Sequence, residues 1–338
     1  MEGERRMAIT IYDVAREANV SMATVSRVVN GNQNVKPATR KKVLDCIERL
    51  GYRPNAIARG LASKKTTTIG VIVPDISKSF YSELSRGIAD VATMYEYNII
   101  LSNSDESTDR EVELIEDHLG KQVDGLIFMS DSISDEVRTE MSTANVPIVL
   151  AGTTDVEKQL ATVNIDYEQA AYVSVNKLIE NGHTKIIFVS GPFSRDVNRI
   201  SKKAGYMRAL QDNNITVDEQ YIVEMENTYD GAYEGWKQIR ELPEKPTAII
   251  AGSDAIAVGL LNGIVDEGLS VPEDYELICF EHSILARIVR PQLTSIVVPL
   301  YDLGAVSMRL LTKLMNGEEV EDQQVILPFR LENRNSTK

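Results

Sequence analysis

A short segment near the amino terminus carries residue types whose spacing suits contact with DNA bases. Residues 10–31 form two short helical patterns joined by a tight turn, and small or polar side chains open the second pattern. Arg27 follows one helical turn later, where its side chain would face outward. The segment therefore predicts a helix-turn-helix whose second helix enters the major groove.

The residues that flank these patterns supply helix start signals. Thr10 and Ser21 each precede an apolar-periodic stretch, so each is expected to cap the helix that follows. Pro37 is expected to open a third helix. Val14 and Ala18 lie four residues apart and indicate the face that packs inside a small helical bundle.

Charge is divided unequally along the 338 residues. Residues 1–65 carry a net charge of +7 and the remainder carries −21, for a total of −14. A basic segment attracts phosphate, whereas an acidic body would be repelled by DNA. We therefore expect the amino-terminal part to bind nucleic acid and the rest to bind something else.

A linker with one short helical pattern separates these two parts. Asn55 can cap a helix of about two turns over residues 56–62. Helices shorter than roughly 12 residues are marginal in water, and Gly60 weakens this one by about 1 kcal/mol relative to Ala, so we expect it to fold only against a partner. Leu61 has two open interpretations, a contact between domains or a wedge between base steps in the minor groove.

Beyond residue 68, short β-branched strands alternate with helical stretches. This alternation predicts βαβ units with parallel sheets. The pattern restarts near residue 185, so two doubly wound subdomains are expected, with a ligand cleft at the carboxyl ends of their strands. The candidate cleft residues are Asp75, Phe80, Tyr81, Lys202, Asp254 and Glu281.

Enzyme and metal signatures are absent from the sequence. There is no GxGxxG after a strand, no phosphate loop, no GxSxG and no HExxH, so neither catalysis nor a cofactor is predicted. His118, His183 and His282 lack ligand-like spacing and are expected at surface or loop positions, without a metal. Cys46 and Cys279 lack CxxC spacing and are expected to be small core residues.

The sequence also argues against export and membrane contact. No run of about 18 apolar residues is present, and the first seven residues lack the apolar stretch of a signal peptide. We therefore favour a cytoplasmic, nucleoid-associated regulator over two alternatives: a periplasmic sugar-binding protein, and an enzyme of sugar metabolism with a basic appendage.

Together, the helix-turn-helix, Tyr52–Asn55, residues 58–62 and the doubled α/β body resemble the LacI/GalR family of bacterial repressors. The resemblance covers nearly the whole chain. At Ile11–Met22 and Tyr301–Met315 it is similar in finer detail to regulators of carbon catabolite repression in Gram-positive bacteria. It implies an α/β fold with an N-terminal helix-turn-helix head and two periplasmic-binding-protein-like subdomains.

The resemblance further implies domain limits and a homodimer on a pseudo-palindromic operator. The expected divisions are a flexible tail (1–9), the head (10–54), a hinge helix and linker (55–67), an N-subdomain (68–165 plus 297–328) and a C-subdomain (166–296 plus 329–338). Met22, Ala23 and Arg27 would lie at base edges, and Leu61 at the central step. The residues implied to contact DNA are Thr10, Tyr12, Ser21, Met22, Ala23, Thr24, Ser26, Arg27, Asn34, Tyr52, Asn55, Ala58, Leu61 and Ala62.

A protein corepressor, HPr phosphorylated on serine, is also implied. Its binding residues would be Tyr301, Asp302, Arg309 and Lys313. Arg309 and Lys313 lie four residues apart, so they share a helix face and repel one another mildly. A phosphoserine between them would turn that repulsion into charge-assisted hydrogen bonds.

Three positions in the body depart from the family pattern. Lys202 stands where sugar- and purine-binding relatives usually place an Arg, Glu281 follows Phe280 where relatives often have Asp, and Ser253-Asp254 replaces an Asn-Asp pair. Because Lys lacks the planar guanidinium fork, a tightly clamped sugar is disfavoured. We expect a phosphorylated sugar to act only as a weak adjunct effector, and we retain a sugar-relieved repressor of a sugar-utilisation operon as the alternative.

Overall fold

A computed structural model of the protein describes residues 9–32, 34–52 and 65–338. The chain divides into two compact units, residues 1–66 and 67–338, called the head and the core below. The predictions for residues 1–8 of the tail and for residues 55–64 of the hinge helix and linker, which include Asn55, Ala58, Leu61 and Ala62, lie outside the described residues.

The head is built from three helices, as the sequence predicts. They are α1 (Ile11–Glu17), α2 (Met22–Val29) and α3 (Pro37–Leu50). The backbone N–H and the hydroxyl of Thr10 donate to the Asp13 carboxylate at 3.0 and 2.8 Å, and the Ser21 hydroxyl accepts the Thr24 N–H at 3.2 Å. Both predicted caps are therefore confirmed as helix starts.

A small apolar centre fixes the three helices of the head. Val14 of α1, Val25 and Val28 of α2 and Val43 of α3 are buried together. Cys46 joins them, which confirms its predicted place in a core. Because Val25 and Val28 of α2 face inward, the opposite face of this helix is left exposed.

The core alternates strands and helices along the chain. Its strands are β1 (Thr68–Val73), β2 (Asn98–Asn103), β3 (Gly125–Phe128), β4 (Ile148–Ala151), β5 (Ala161–Ile165), β6 (Ile186–Ser190), β7 (Ile222–Glu224), β8 (Ala248–Ala251), β9 (Glu276–Glu281), β10 (Thr294–Val297), β11 (Gln324–Leu327) and β12 (Arg330–Glu332). Its helices are α4 (Ser79–Met94), α5 (Thr108–Gly120), α6 (Asp135–Thr143), α7 (Tyr167–Glu180), α8 (Lys203–Asp212), α9 (Tyr229–Arg240), α10 (Asp254–Asp266), α11 (Ile284–Ile288) and α12 (Leu300–Met315). A π-helical turn, Val197–Lys202, precedes α8, and a 3₁₀ turn, Glu219–Tyr221, precedes β7.

The strands form two six-stranded sheets, and each sheet lies at the centre of one lobe. The first lobe has the order β11-β5-β4-β3-β1-β2, and the second lobe has the order β12-β10-β9-β8-β6-β7. All pairs are parallel except β10 with β12. The predicted fold of two doubly wound units on one head is thus confirmed.

The chain passes between the sheets three times, after β5, after β10 and after β11. Val297 is the last residue of β10 in the second lobe, so the second passage begins one residue later than expected. All three passages leave strands at one end of the strand orders. The opposite ends, β2 and β7, are far from these connections.

His118 corrects the prediction that the histidines lie on the surface or in loops. It is 0% exposed on α5, and its Nε2 lies 3.0 Å from the Ser102 hydroxyl. Leu114 and Ile115 lie four and three residues earlier, so helical periodicity places His118 on the same inward face. Burial lowers the pKa of His118 because it disfavours the charged imidazolium.

Cys279 is buried on β9, as predicted, and its thiol donates to the Asp254 carboxylate at 3.0 Å. Within the described residues, no helix has the length and apolar character needed to cross a bilayer.

Candidate functional site

The exposed face of α2 presents the side chains expected to meet DNA. Met22, Ala23 and Arg27 are exposed, whereas Thr24 and Ser26 are half-buried. In the described part of the head, the Arg27 guanidinium has no hydrogen-bond or ion-pair partner. A long cation, a thioether and a small methyl on one rigid helix can contact base edges without losing internal bonds.

Other predicted DNA-facing residues lie around this helix. Tyr12 on α1 is 66% exposed, and Thr10 and Ser21 are exposed at the starts of α1 and α2. Asn34 is exposed before α3, and its backbone N–H is held by the Asn32 side chain at 2.9 Å. Tyr52 packs partly against the head's apolar centre. These positions frame α2 with hydroxyls and amides that suit phosphate oxygens.

The core contains a cavity of about 360 Å³ between the carboxyl ends of the strands of its two lobes. Phe80, Tyr81 and Asp131 line it from the first lobe, and Lys202 and Glu281 line it from the second. The Tyr81 hydroxyl donates to the Asp131 carboxylate at 2.9 Å. The cavity lies where a doubly wound fold is expected to bind a small ligand.

Lys202 is the buried cation of this cavity. Its Nζ donates to the Gly252 carbonyl at 2.8 Å and lies 5.3 and 5.0 Å from the ring centroids of Tyr167 and Phe280. Burial lowers the pKa of Lys202, while the charges of Glu281 and Asp131 act in the opposite direction. The ammonium is thus already held by a carbonyl and two aromatic faces, with part of its donor capacity left for a ligand.

Glu281 contributes a carboxyl to the same wall from an unusual backbone position. Its φ is 93°, in the region that non-glycine residues rarely adopt, and His282 follows with φ 65°. Burial, and the neighbouring Asp254, raise the pKa of Glu281. Strain of this kind at a cavity wall is typical of a ligand-binding position.

Two of the predicted cleft residues do not line the cavity. The Asp75 carboxylate accepts the Ser77 N–H at 2.9 Å and shapes the turn after β1. The Asp254 carboxylate turns away to accept from Cys279 and from the Ser283 backbone. Ser253, the residue before it, lines the cavity instead, so the prediction was displaced by one residue at the start of α10.

Sequence reasoning missed several other lining residues. The polar ones are Ser77, Lys78, Ser79, Asp131, Tyr167, Asn198, Asn227 and Ser253. Ser253 donates to Asn227 at 2.6 Å, which joins the starts of α9 and α10. The signal available in the sequence was position, since each follows a strand or opens a helix at the edge where parallel strands end.

A third candidate surface lies on α12. Tyr301, Asp302, Arg309 and Lys313 are all exposed on this helix. The Tyr301 hydroxyl donates to Asp90 of α4 at 3.2 Å, so the start of α12 is fixed to its neighbour. In the described residues, Arg309 and Lys313 have no ion-pair partner, which leaves two cations one turn apart and open to an anion.

Metal binding is not suggested by the geometry. No group of three or more His, Cys, Asp or Glu side chains within residues 9–32, 34–52 and 65–338 is arranged to hold a metal ion. His183 instead lies beside Thr247 and Glu276, and His282 beside Ser295 and Arg334.

Comparison with known proteins agrees with this arrangement. The family model for bacterial regulatory proteins of the lacI family matches residues 10–55, and that of a periplasmic binding protein-like domain matches residues 175–337. Catabolite control protein A of Priestia megaterium is 58% identical over 332 residues, which are 98% of this chain and 100% of that protein.

Two solved structures support the same relationship. Transcription regulator CcpA of Lactococcus lactis is 41% identical with a TM-score of 0.76, over 80% of this chain and 99% of that one. The lac repressor dimer bound to operator and the anti-inducer ONPF is 26% identical with a TM-score of 0.90, over 98% of this chain and 99% of that one.

A head of this form on a two-lobed core with a cavity defines a DNA-binding transcription regulator. The chain belongs to the lacI family of bacterial regulatory proteins, within which it is similar along nearly its whole length to catabolite control protein A. The family resemblance identified from the sequence is therefore confirmed.

Proposed function

We propose that this protein controls carbon catabolite genes, by repression or activation, as a homodimer that binds pseudo-palindromic operators with serine-phosphorylated HPr as corepressor. We also propose that it works in the cytoplasm, on the nucleoid. The observation that carries the DNA-binding part is the exposed row of Met22, Ala23 and Arg27 on a helix fixed by buried valines. Because the helix backbone is fixed, these side chains are presented to the base edges in one register, which makes base contact specific.

Charge supports the same assignment of roles. The basic segment 1–65 would neutralise phosphates and release counterions, so affinity should fall steeply with salt. Lys41 and Lys42 are exposed on α3, and Arg27 is exposed on α2. The acidic core would contribute no phosphate contacts and would act by positioning the heads.

The dimer is supported by apolar side chains exposed on the second lobe. Ile284 and Ile288 of α11 are 52% and 58% exposed, and Ile284 also lies at the edge of the cavity. Two large apolar side chains exposed one turn apart on the same helix are typical of a protein interface. A related structure, the lac repressor, is described as a dimer on its operator. Ile288→Lys should therefore shift sedimentation from dimer toward monomer.

The corepressor assignment is supported by the basic pair on α12. Asp302, Arg309 and Lys313 are spaced by seven and four residues, which places them along one stripe of an exposed helix face. A phosphoserine carries a charge of about −1.5 to −2 and three acceptor oxygens, and it can receive hydrogen bonds from both cations. Met94, 61% exposed near the end of neighbouring α4, offers an apolar flank to a protein partner.

Transmission to DNA would use the segment at residues 55–62. In the proposal, the bound corepressor favours one arrangement of the lobes, which brings the two linkers of the dimer together. The short helices then fold against one another, and Leu61 inserts at the central operator step from the minor groove. Because that folding opposes binding by its ordering entropy, affinity depends on the corepressor.

The cavity favours a second candidate, a repressor relieved by a small sugar. It is large enough for a monosaccharide and lined by hydroxyls, amides and aromatic rings. A phosphorylated sugar would be disfavoured by Asp131 and Glu281, so we retain it only as a weak adjunct. Calorimetry with free and phosphorylated sugars distinguishes the two candidate functions. Tight binding of a free sugar that releases operator DNA would favour the sugar-relieved repressor.

The proposed function is tested by mapping bound sites across the genome in cells with normal HPr and in cells whose HPr carries Ala at the phosphorylated serine. We expect occupancy of palindromic sites near sugar-utilisation genes to fall strongly in the second strain. Unchanged occupancy would exclude the corepressor, and no palindromic sites in either strain would exclude the operator-binding role.

A further inference from the structure

An ion pair joins the two lobes at the rim of the cavity. The Arg195 guanidinium, in the loop after β6 of the second lobe, lies 2.8 Å from Oε2 of Glu106, in the loop after β2 of the first lobe. Oε1 of Glu106 also receives Lys78 Nζ at 2.5 Å. Lys78 lines the cavity, so this three-residue cluster stands where a ligand would enter.

The pair lies far from the connections between the lobes, so a small rotation of the lobes changes its distance strongly. The three connections between the lobes leave strands β5, β10 and β11, at one end of the orders, whereas Glu106 follows β2 at the far edge. With strands about 4.8 Å apart, β2 lies four strand steps from β5 and β6 lies three steps from β10, so the lever arm is about 15 to 20 Å. A rotation of about 10° about those connections would then move the two side chains apart by about 2.5 to 3.5 Å, which breaks the contact.

The pair is partly sheltered from water. The side chain of Arg195 is 17% exposed, and those of Glu106 and Lys78 are each 34% exposed. Glu111, a buried carboxyl of the first lobe, also feels the positive charge of Arg195. A sheltered Arg that is attracted by carboxylates of the opposite lobe stabilises the contact more than an exposed surface pair would.

We propose that Arg195 and Glu106 form a clasp that holds the two lobes closed over the cavity without a ligand, with Lys78 fixing Glu106 in place. The clasp sets the resting arrangement of the core. Ligands that enter the cavity must break it, and ligands that bind elsewhere act on a core that is already closed. The Arg138–Asp155 and Arg240–Glu267 pairs lie within single lobes and cannot have this effect.

The test measures the distance between the lobes in the full-length protein without ligands. Spin labels are placed at Asp109→Cys on α5 and Glu226→Cys after β7, both exposed positions at the far edges, while the native cysteines are buried. The distance between the labels in Glu106→Gln and in Arg195→Gln is compared with that in the parent by double electron–electron resonance. We expect each to lengthen or broaden the distance distribution by several ångströms.

The double variant and a matched control make the outcome decisive. Because the two side chains form one contact, Glu106→Gln with Arg195→Gln should open the lobes no further than either change alone. Arg240→Gln, which removes a pair within one lobe, should leave the distance unchanged. Raising the salt concentration should lengthen the distance in the parent and not in the variants.

The clasp is refuted if folded Glu106→Gln and Arg195→Gln proteins both retain the parental distance, or if the two changes act additively. Folding is verified by far-ultraviolet circular dichroism and by the thermal midpoint. Glu106→Gln and Arg195→Gln alter opposite lobes, so the same opening in both cannot come from local damage to one of them.

Discussion

Gly87 of α4 and Gly304 of α12 lie at the same helix crossing, and neither has room for a side chain. A Cβ on Gly304 would lie 1.9 Å from the Leu84 carbonyl oxygen, and a Cβ on Gly87 would lie 2.0 Å from that of Tyr301. The two backbones therefore touch without intervening side chains. This contact fixes the helix that carries Arg309 and Lys313 onto the first lobe.

Gly304→Ala should separate these helices and lower the free energy of unfolding by about 2–4 kcal/mol, because the clashing atoms are backbone atoms that cannot turn aside. Urea unfolding measures the change. The matched control is Gly120→Ala at the end of α5, where an added Cβ meets nothing within 4 Å. If both variants unfolded at the parental urea concentration, the close contact of the two helix backbones would not contribute to stability as we predict.

Much of this fold could be predicted from local pattern. Strand and helix order, the caps at Thr10 and Ser21, and the restart near residue 185 follow from periodicity and helix-start residues that act over a few positions. The same rule would have buried His118, since it shares a face with Leu114 and Ile115. That error came from judging the histidine by its type and not by its register.

The cavity was less predictable because it is assembled from distant segments. Tyr167, Asn198 and Asn227 meet only after the two sheets have formed and faced one another, and no local spacing encodes that approach. Asp254 was a plausible guess by charge. The start of α10 nevertheless turns its carboxylate toward Cys279, and Ser253 faces the cavity instead.

Glu111 should make stability depend on pH. Burial raises its pKa from an ordinary 4.5 to about 7, so the folded protein binds more protons than the unfolded chain between these values. Ionising the buried Glu111 carboxyl lowers the free energy of unfolding. This loss is absent below pH 4.5, grows as the pH rises and is complete above pH 7. Relative to the parent, Glu111→Gln should thus gain stability across this window, on the order of 3 kcal/mol at pH 8.

Denaturant unfolding from pH 4.5 to pH 8 measures this difference. Glu116→Gln, at an exposed position on the same helix, is the control and should follow the parent at every pH. A difference between Glu111→Gln and the parent that stays constant with pH would mean that the carboxyl does not titrate in this range.

Arg309→Ala should abolish the response to phosphorylated HPr and leave basal operator binding intact, because the guanidinium is exposed and has no partner among the described residues. Fluorescence anisotropy of labelled operator, titrated with and without the phosphorylated partner, gives both quantities. Arg240→Ala removes a cation from the second lobe and should respond like the parent. Loss of basal binding in Arg309→Ala would instead indicate misfolding.

Arg27→Ala should reduce discrimination between operator and random DNA by roughly 1–3 kcal/mol, the range of a good base contact. Lys41→Ala, on exposed α3, should weaken binding to both duplexes about equally and reduce the salt slope by about one. Paired affinity measurements on the two duplexes separate these effects. If Arg27→Ala weakened both duplexes equally, its side chain would be a phosphate contact.

Leu61→Ala should weaken operator binding more than non-specific binding, since only a kinked central step accommodates the proposed wedge. Competition with random duplex measures the preference for operator over non-specific DNA. Circular-permutation assays measure the bend angle of the bound operator. Equal losses on both duplexes, with the bend retained, would make Leu61 a domain contact.

The most direct measurement is the dissociation constant of the full-length protein for a pseudo-palindromic operator, with unmodified HPr and with HPr phosphorylated on serine. We predict preference for the palindrome over a scrambled duplex in both cases, and at least tenfold tighter operator binding with the phosphorylated form. Equal affinity for operator and scrambled DNA, with the phosphorylated partner present, would contradict the account.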